Sequence, residues 1–421
     1  MAAYPMADAQ AFCAKIFDDV RALSVDGPGV TRQGYGPVET KTLEYLKAIG
    51  RELALEITDD AAGNVWMRLP GRDRSLPAVV AGSHADSVPQ GGNYDGLAGI
   101  VAALNVARAM REEHFTPQRD FVVLMMRCEE SSFYGKSYIG SLAVTGRLTA
   151  DETALYDRDK KETLGRHMAS CGVDPAAITK GEPLVDLKRI AAFFELHIEQ
   201  GPTLTSSDTV RTGVVTGIRG NLRHKQVRIV GETAHSGAVD KEFRHDAVLA
   251  CADFLHRMDK AWDEMLAAGH DLVFTVGVLK TAPTAAISVI PGEVAFTVDM
   301  RSLSLSTVEA FHEKMLATAS AVEKERGVRF EFDKKLTTQP ATVNEALKNR
   351  LVEEAAKMGL PVRTMASGAG HDAAVIGGAG VPVAMIFVAN QNGSHNPHEA
   401  MKIEDFMKGA ALLKETVFHF E

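Results

Sequence analysis

Cysteine is scarce in this chain: Cys13, Cys128, Cys171 and Cys251 are the only four in 421 residues. None forms a CxxC pair, so the sequence offers neither a zinc ribbon nor a disulfide framework, and the four read as reduced thiols. Positive charge is short as well. Lys and Arg total 46 against 55 Asp and Glu, a net charge of −9 with histidine neutral. That balance lacks the basic footprint that phosphate backbones demand, so no nucleic-acid partner is expected. No apolar run reaches the roughly 18 residues that span a bilayer, and no membrane association is expected. The opening MAAYPMADAQAFCAKIF has no basic stretch ahead of an apolar core, which excludes a signal peptide and leaves the cytoplasm as the expected location. Internal repeats, low-complexity tracts and long charge blocks are absent too.

What remains is a chain that buries a large core. Hydrophobic residues make up 45%, and the length suggests two domains. Pro77–Ser83 (PAVVAGS) and Phe121–Arg127 (FVVLMMR) read as buried strands, with a helix over Ala98–Glu113 between them. Strand–helix–strand predicts parallel pairing. Further strands are predicted near Ala191–His197 and over Val383–Val388. Each of the four is followed by polar residues with chemical potential, as expected where sites lie beyond the carboxyl ends of strands.

The middle of the chain has another pattern. Strands are predicted at Asn221–Gly231, Asp271–Leu279, Glu293–Arg301 and Val328–Phe332, with helices at Glu242–Asp259 and Ser306–Arg326. Ser306 and Glu309 could form a capping box. The order β-α-β-β-α-β marks a compact unit. The fold class is therefore α/β: a catalytic domain (1–213 and 333–421) with a mixed, largely parallel sheet between helices, and an inserted α+β domain at 214–332.

Four segments carry chemistry. In GSHADSVPQGGNYDG, His84 and Asp86 sit two apart, so Asp86 can hydrogen-bond the ring of a metal-bound His84. Asp95 follows in a glycine-rich turn, where a carboxylate can bridge two metals. Glu129 and Glu130 are adjacent carboxylates past an apolar strand, costly neighbours unless cations hold them. One can bind metal while the other activates water. Read alone, the pair could equally be a solvated strand end. His197 lies between Leu196 and Ile198, where a satisfied core histidine is the plainer reading. His395, in NGSHNPHEA, follows the last strand and can reach the same sheet edge; His398 and Glu399 beside it read as supporting or exposed groups. Nitrogen and oxygen ligands without thiolate suit zinc, manganese, cobalt or nickel.

With these residues in view, the sequence resembles the amidase/hydantoinase/carbamoylase branch of the M20 metallopeptidase-like family over nearly its whole length. HADSVPQGGNYDG, CEES, ELHIEQGP, SGAGHDA and SHNPHE carry the likeness. The resemblance implies two divalent ions per subunit, held by His84, Asp95, Glu130, His197 and His395, with Asp95 bridging, Glu129 as general base and Asp86 orienting His84. It implies that the inserted domain serves as lid and dimerisation domain, hence a homodimer, for which the residues alone give no signal. It also implies that His235, in GETAHSG, stabilises the oxyanion, and that Arg301, in EVAFTVDMRS, binds the substrate carboxylate. Read alone, His235 is a surface-loop histidine and Arg301 a surface partner of Asp299. Gln200 matches a substrate-contacting glutamine, and Gly368–Gly370 a glycine-rich hinge that places Gly370 near the site.

Three positions depart from the family. Ser288 stands where many relatives have an asparagine that grips substrate. Val239, Asp240 and Lys241 replace Thr-Pro-Met, and Ser131 replaces a glycine. The expected function is hydrolysis of a linear amide or ureido C–N bond in a small carboxylate-bearing substrate, most simply an N-carbamoyl amino acid. An aminoacylase-like activity on N-acyl amino acids is the alternative, and an inactive homologue acting as a binding protein the third reading.

Overall fold

A computed structural model describes residues 6–420. The chain divides into two compact units, one running to Thr216 and resuming at Thr342, the other spanning Gly217–Ala341. Among the described residues no helix is long and apolar enough to cross a membrane.

The first unit is built on a nine-stranded mixed sheet. Four strands run parallel at its centre, in the order Val383–Val388, Ile190–Ile198, Ala78–His84, Phe121–Met126. Every residue of Ala78–His84, Phe121–Met126 and Val383–Val388 is buried, as continuous apolar strands covered on both faces require. Antiparallel strands flank this centre: Val65–Leu69 and Glu56–Asp59 on one side, Thr212–Ile218 on the other. The register sets the strand ends level. His84 pairs with Met126, and Phe387 with His197. The chain therefore delivers His84, His197 and the segments after Met126 and Val388 to one edge of the sheet.

The helix Leu97–Glu112 begins two residues after Asp95 and is buried almost all round. Its small residues permit this. A Cβ at Gly99 would stand 2.4 Å from the Leu196 carbonyl oxygen and 2.6 Å from Ser83 Cβ, so the first turn lies directly on two central strands. Helices Ala9–Ser24 and Ile403–Phe418 share the core on that side. Four short helices between Ile139 and Ile178 enclose a smaller core with Tyr35, Tyr134 and Cys128.

The second unit is an antiparallel six-stranded sheet under two helices, Ala247–Ala267 and Leu305–Arg326. Along Glu293–Ser302 burial alternates residue by residue, with Val294, Phe296, Val298 and Met300 inside. The order matches the β-α-β-β-α-β expectation, but the unit extends beyond residue 332 because Leu336–Thr338 pairs with Asn221–Arg223. The strand expected over Asp271–Leu279 is split into Val273–Thr275 and Leu279–Thr281. The first helix starts at Ala247 rather than Glu242, since Asp246 accepts the Val248 and Leu249 amides and so ends the turn before it. The second is capped by Ser304, which accepts the Thr307 amide, rather than by Ser306.

Candidate active site

Four chain segments converge at the carboxyl edge of the parallel strands. Asp95 is at the centre, and its two oxygens face different neighbours. Oδ1 is 3.4 Å from His84 Nε2 and 3.1 Å from His197 Nε2. Oδ2 is 3.5 Å from His395 Nε2, and His395 Nε2 is in turn 3.1 Å from Glu130 Oε1. Two groups with metal-ligand spacing result, His84–Asp95–His197 and Asp95–Glu130–His395, and Asp95 is the member they share.

Local structure aims each group. His197 Nδ1 lies 2.9 Å from the Ile198 carbonyl, so it serves as the donor and leaves Nε2 for a ligand. Asp86 works in two directions. Its Oδ1 is 3.3 Å from His84 Nδ1, and its two oxygens accept the Glu129 amide at 2.9 Å and the Glu130 amide at 3.0 Å. One carboxylate thus orients a histidine and anchors the turn that carries both glutamates. Gln200, at φ +65°, donates its side-chain amide to Asp95 Oδ2 at 2.8 Å. Glu129 belongs to neither group. It is buried beside the first, with Oε2 3.9 Å from His84 Nε2.

The electrostatics fit cations. Burial holds Glu129 well above the usual carboxylate range, and the neighbouring Glu130 adds to this. Burial also raises Glu130. Hydrogen bonds to Asp95 and Glu130 push His395 up to about 11. Burial works against a charged His84, but Asp86 and Asp95 outweigh it and raise that ring well above its ordinary value. Burial likewise opposes the Asp95 charge, and His197, His395 and His84 overcome it. Carboxylates and imidazoles at these distances, with every donor nitrogen or oxygen and no thiolate, suit a hard or borderline divalent ion.

The structure adds groups that the sequence pattern did not mark. Glu399 is buried, not exposed: its Oε1 accepts the Tyr94 and Asp95 amides, and its Oε2 is 2.6 Å from Ser394 Oγ. Burial and Asp95 push it up to about 7. The Ser394 hydroxyl also reaches Asp95 Oδ2 at 2.5 Å. His371 packs its ring edge to face against His197, with centroids 4.5 Å apart, and bonds Ser367. Glu195 accepts from Ser83 Oγ and from the Ala373 amide deep in the core. Its signal was a carboxylate inside the apolar run AAFFELHI, which burial alone makes costly.

Gly370 lies in the same unit, close against Tyr138: a Cβ there would meet the Tyr138 hydroxyl. His235, Ser288 and Arg301 belong to the second unit. His235 is exposed, and its Nδ1 accepts the Gly237 amide at 3.2 Å, which leaves Nε2 as the donor. Ser288 is exposed, and its carbonyl accepts the Ser236 amide at 2.9 Å. Arg301 lays its fork on Asp299, at 3.1 Å from Nε and 2.8 Å from Nη2, and Asp299 also accepts from Arg223 Nε at 3.0 Å.

Gly96 shows how tightly the first group is built. Its φ is +66°, and a Cβ there would lie 2.4 Å from His84 Cε1 and 2.5 Å from both ring nitrogens. Gly96→Ala is therefore expected to displace the His84 ring as well as strain the backbone. Titration of the metal-stripped variant with Mn²⁺ should show affinity lower by about 10- to 100-fold. Unchanged affinity would remove His84 from the ligand set.

Comparison with known proteins agrees with this geometry. Residues 80–419 match the model of peptidase family M20/M25/M40. The chain is 33% identical over 406 residues to an N-carbamoyl-L-amino-acid amidohydrolase of Paenarthrobacter aurescens, covering 95% of this chain and 96% of that protein. It is 32% identical over 397 residues to an allantoate amidohydrolase of Bacillus subtilis, covering 94% and 93%. A crystal structure of an amidase of the hydantoinase/carbamoylase family from Burkholderia multivorans superposes with a TM-score of 0.87 at 26% identity, covering 98% of this chain and 97% of that one. The chain belongs to peptidase family M20/M25/M40, as an amidohydrolase of its hydantoinase/carbamoylase branch.

Proposed function

We propose that the protein hydrolyses a linear ureido C–N bond in a small carboxylate-bearing substrate, an N-carbamoyl amino acid or a related ureido acid. The observation that carries this reading is the division of labour around Asp95. Each of its oxygens faces one ligand group, and the buried Glu129 stands beside them with no place in either. The N-carbamoyl-amino-acid and allantoate amidohydrolases among the relatives act on ureido compounds, which supports the bond class.

In this reading His84, Asp95 and His197 hold one divalent ion, and Asp95, Glu130 and His395 a second, each zinc, manganese, cobalt or nickel. Such ions, when bound, lower the pKa of water and polarise a carbonyl. Glu129 takes the proton of the attacking water and passes it to the leaving amine. Its burial suits both halves of that task, because a carboxylate raised above its usual range accepts a proton readily and can hold it. Asp86 keeps His84 and the glutamate turn in register. His235 offers Nε2–H to the oxyanion, and Arg301 offers its fork to the substrate carboxylate. Asp299 retains Arg223 when Arg301 turns away, so that exchange strands no charge. Gln200 and Gly370 border the substrate, and Ser288 modifies its grip. The second unit acts as lid and dimerisation domain of a homodimer.

Arg301→Ala should raise KM about 10- to 100-fold with kcat less affected, the pattern of a lost ground-state contact. An unchanged KM would leave Arg301 as no more than the partner of Asp299. The reaction class is tested by a product-resolved assay of Mn²⁺- or Zn²⁺-loaded enzyme, with chelated enzyme as control. N-carbamoyl, N-acetyl and N-formyl versions of the same amino acids are compared, with allantoate and 3-ureidopropionate. Metal-dependent ammonia release from a ureido substrate supports the proposal. Release of carboxylic acid from acyl substrates alone replaces it with the aminoacylase reading.

A further inference from the structure

Glu39 lies in the first turn of the helix Pro37–Glu52, and its side chain is fully buried. Its oxygens are filled by one short stretch of neighbouring chain. Oε2 accepts the Tyr35 amide at 2.7 Å and Arg127 Nε at 2.7 Å, with Arg127 Nη2 at 2.6 Å. Oε1 accepts the Cys128 amide at 3.1 Å. The Arg127 guanidinium also lies over the Tyr35 ring, 4.5 Å from its centroid.

The anchored residues matter because Glu129 and Glu130 come next in the chain. Cys128 has φ +55°, a conformation that residues with a side chain avoid unless their surroundings impose it. Gly34 leaves room for this turn: a Cβ there would stand 2.4 Å from Cys128 Cβ. On the far side Asp86 accepts the Glu129 and Glu130 amides. The turn is thus gripped by two buried carboxylates, Asp86 within the ligand cluster and Glu39 outside it.

We propose that Glu39 is a positioning residue, which holds the Cys128 amide and the Arg127 guanidinium so that the left-handed turn aims Glu130 at its ligand group and sets Glu129 beside it. The proposal rests on the reading of Glu130 as a ligand and Glu129 as the base. Its rival is a Glu39 that only neutralises Arg127 in the interior.

Single replacement of Glu39 strands the Arg127 charge and can unfold the chain for that reason alone. Arg127→Met is therefore combined with Glu39→Gln in one variant and with Glu39→Met in another. The two side chains have similar length, and only glutamine keeps an acceptor for the Cys128 amide. Both proteins, checked for fold by circular dichroism, are stripped with chelator and titrated with Mn²⁺. The methionine variant is expected to bind its weaker ion at least about tenfold less tightly than the glutamine variant. Its kcat for a ureido substrate should be about 100-fold lower, with KM within about threefold. Equal affinity for the weaker ion in the two variants overturns the proposal. Glu130→Gln tests the ligand reading by itself: if it leaves Mn²⁺ binding unchanged, that reading fails and the proposal falls with it. If the methionine variant does not fold, Cys128→Val and Cys128→Gly decide from the other side. Glycine takes a positive φ freely and valine does not, so valine should weaken Mn²⁺ binding at least about tenfold relative to glycine, and equality again overturns the proposal.

Discussion

Glu129→Gln is expected to give a folded protein with unchanged metal content and a kcat lower by about 10³-fold. The substitution keeps the shape of the side chain and removes only its capacity to take a proton. Metal content should hold because Glu129 is in neither ligand group, whereas its neighbour Glu130 sits 3.1 Å from His395 Nε2. The fold should hold because the Asp86 anchor reaches the backbone amides of the pair rather than their side chains. Glutamine also removes a buried carboxylate from a crowded cluster, where Glu130, Asp372 and Asp86 all disfavour its charge. A small gain in thermal stability beside the lost turnover would fit that physics. Turnover at the wild-type rate would place the base elsewhere, and loss of an ion would make Glu129 a ligand. Kinetics and metal analysis on the same preparation separate these outcomes.

The parts of the site that could be read in the sequence are those whose signal is local. The four central strands are apolar runs with polar residues at their ends, and the observed spans differ from the expected ones by a residue or so. His84, Asp95, Glu130, His197 and His395 each follow or end such a strand, so a common sheet edge brings them together. Glu39 and Glu399 had no such marker. Glu39 sits on an ordinary helical turn, and only the approach of Arg127 and Cys128, nearly 90 residues along the chain, gives it a task. Glu399 stands in a polar loop where exposure is the plain expectation, and it is buried because the glycine at position 92 lets it lie on the backbone. A Cβ on Gly92 would come 2.0 Å from Glu399 Cδ. Helix starts failed for a related reason. In SLSLSTVE two serines can cap, and local pattern does not choose between Ser304 and Ser306.

Asp95→Asn should be the most damaging change to metal binding, because it acts on both ligand groups at once. Asparagine keeps the volume of aspartate but offers one oxygen and one NH₂, and the amide nitrogen cannot ligate. With its oxygen toward His84 and His197, the NH₂ faces Gln200 Nε2, 2.8 Å from Oδ2, where two donors then meet. With the amide flipped, the first group loses its oxygen instead. Ser394 is less sensitive, since its hydroxyl can turn wholly to Glu399 Oε2. The substitution also deletes the negative charge that His197, His395 and His84 surround. Mn²⁺ affinity is therefore expected to fall by about 100-fold or more, with turnover lost in proportion. Thermal melting gives a readout free of substrate. An ion present at 100 times its dissociation constant stabilises the native state by about 2.7 kcal/mol, so saturating Mn²⁺ should raise the melting temperature of the chelator-stripped wild type and leave that of Asp95→Asn nearly where it was. Equal Mn²⁺-induced shifts in the two proteins would mean that Asp95 is not shared between two ions, and the two groups would then have to be assigned separately.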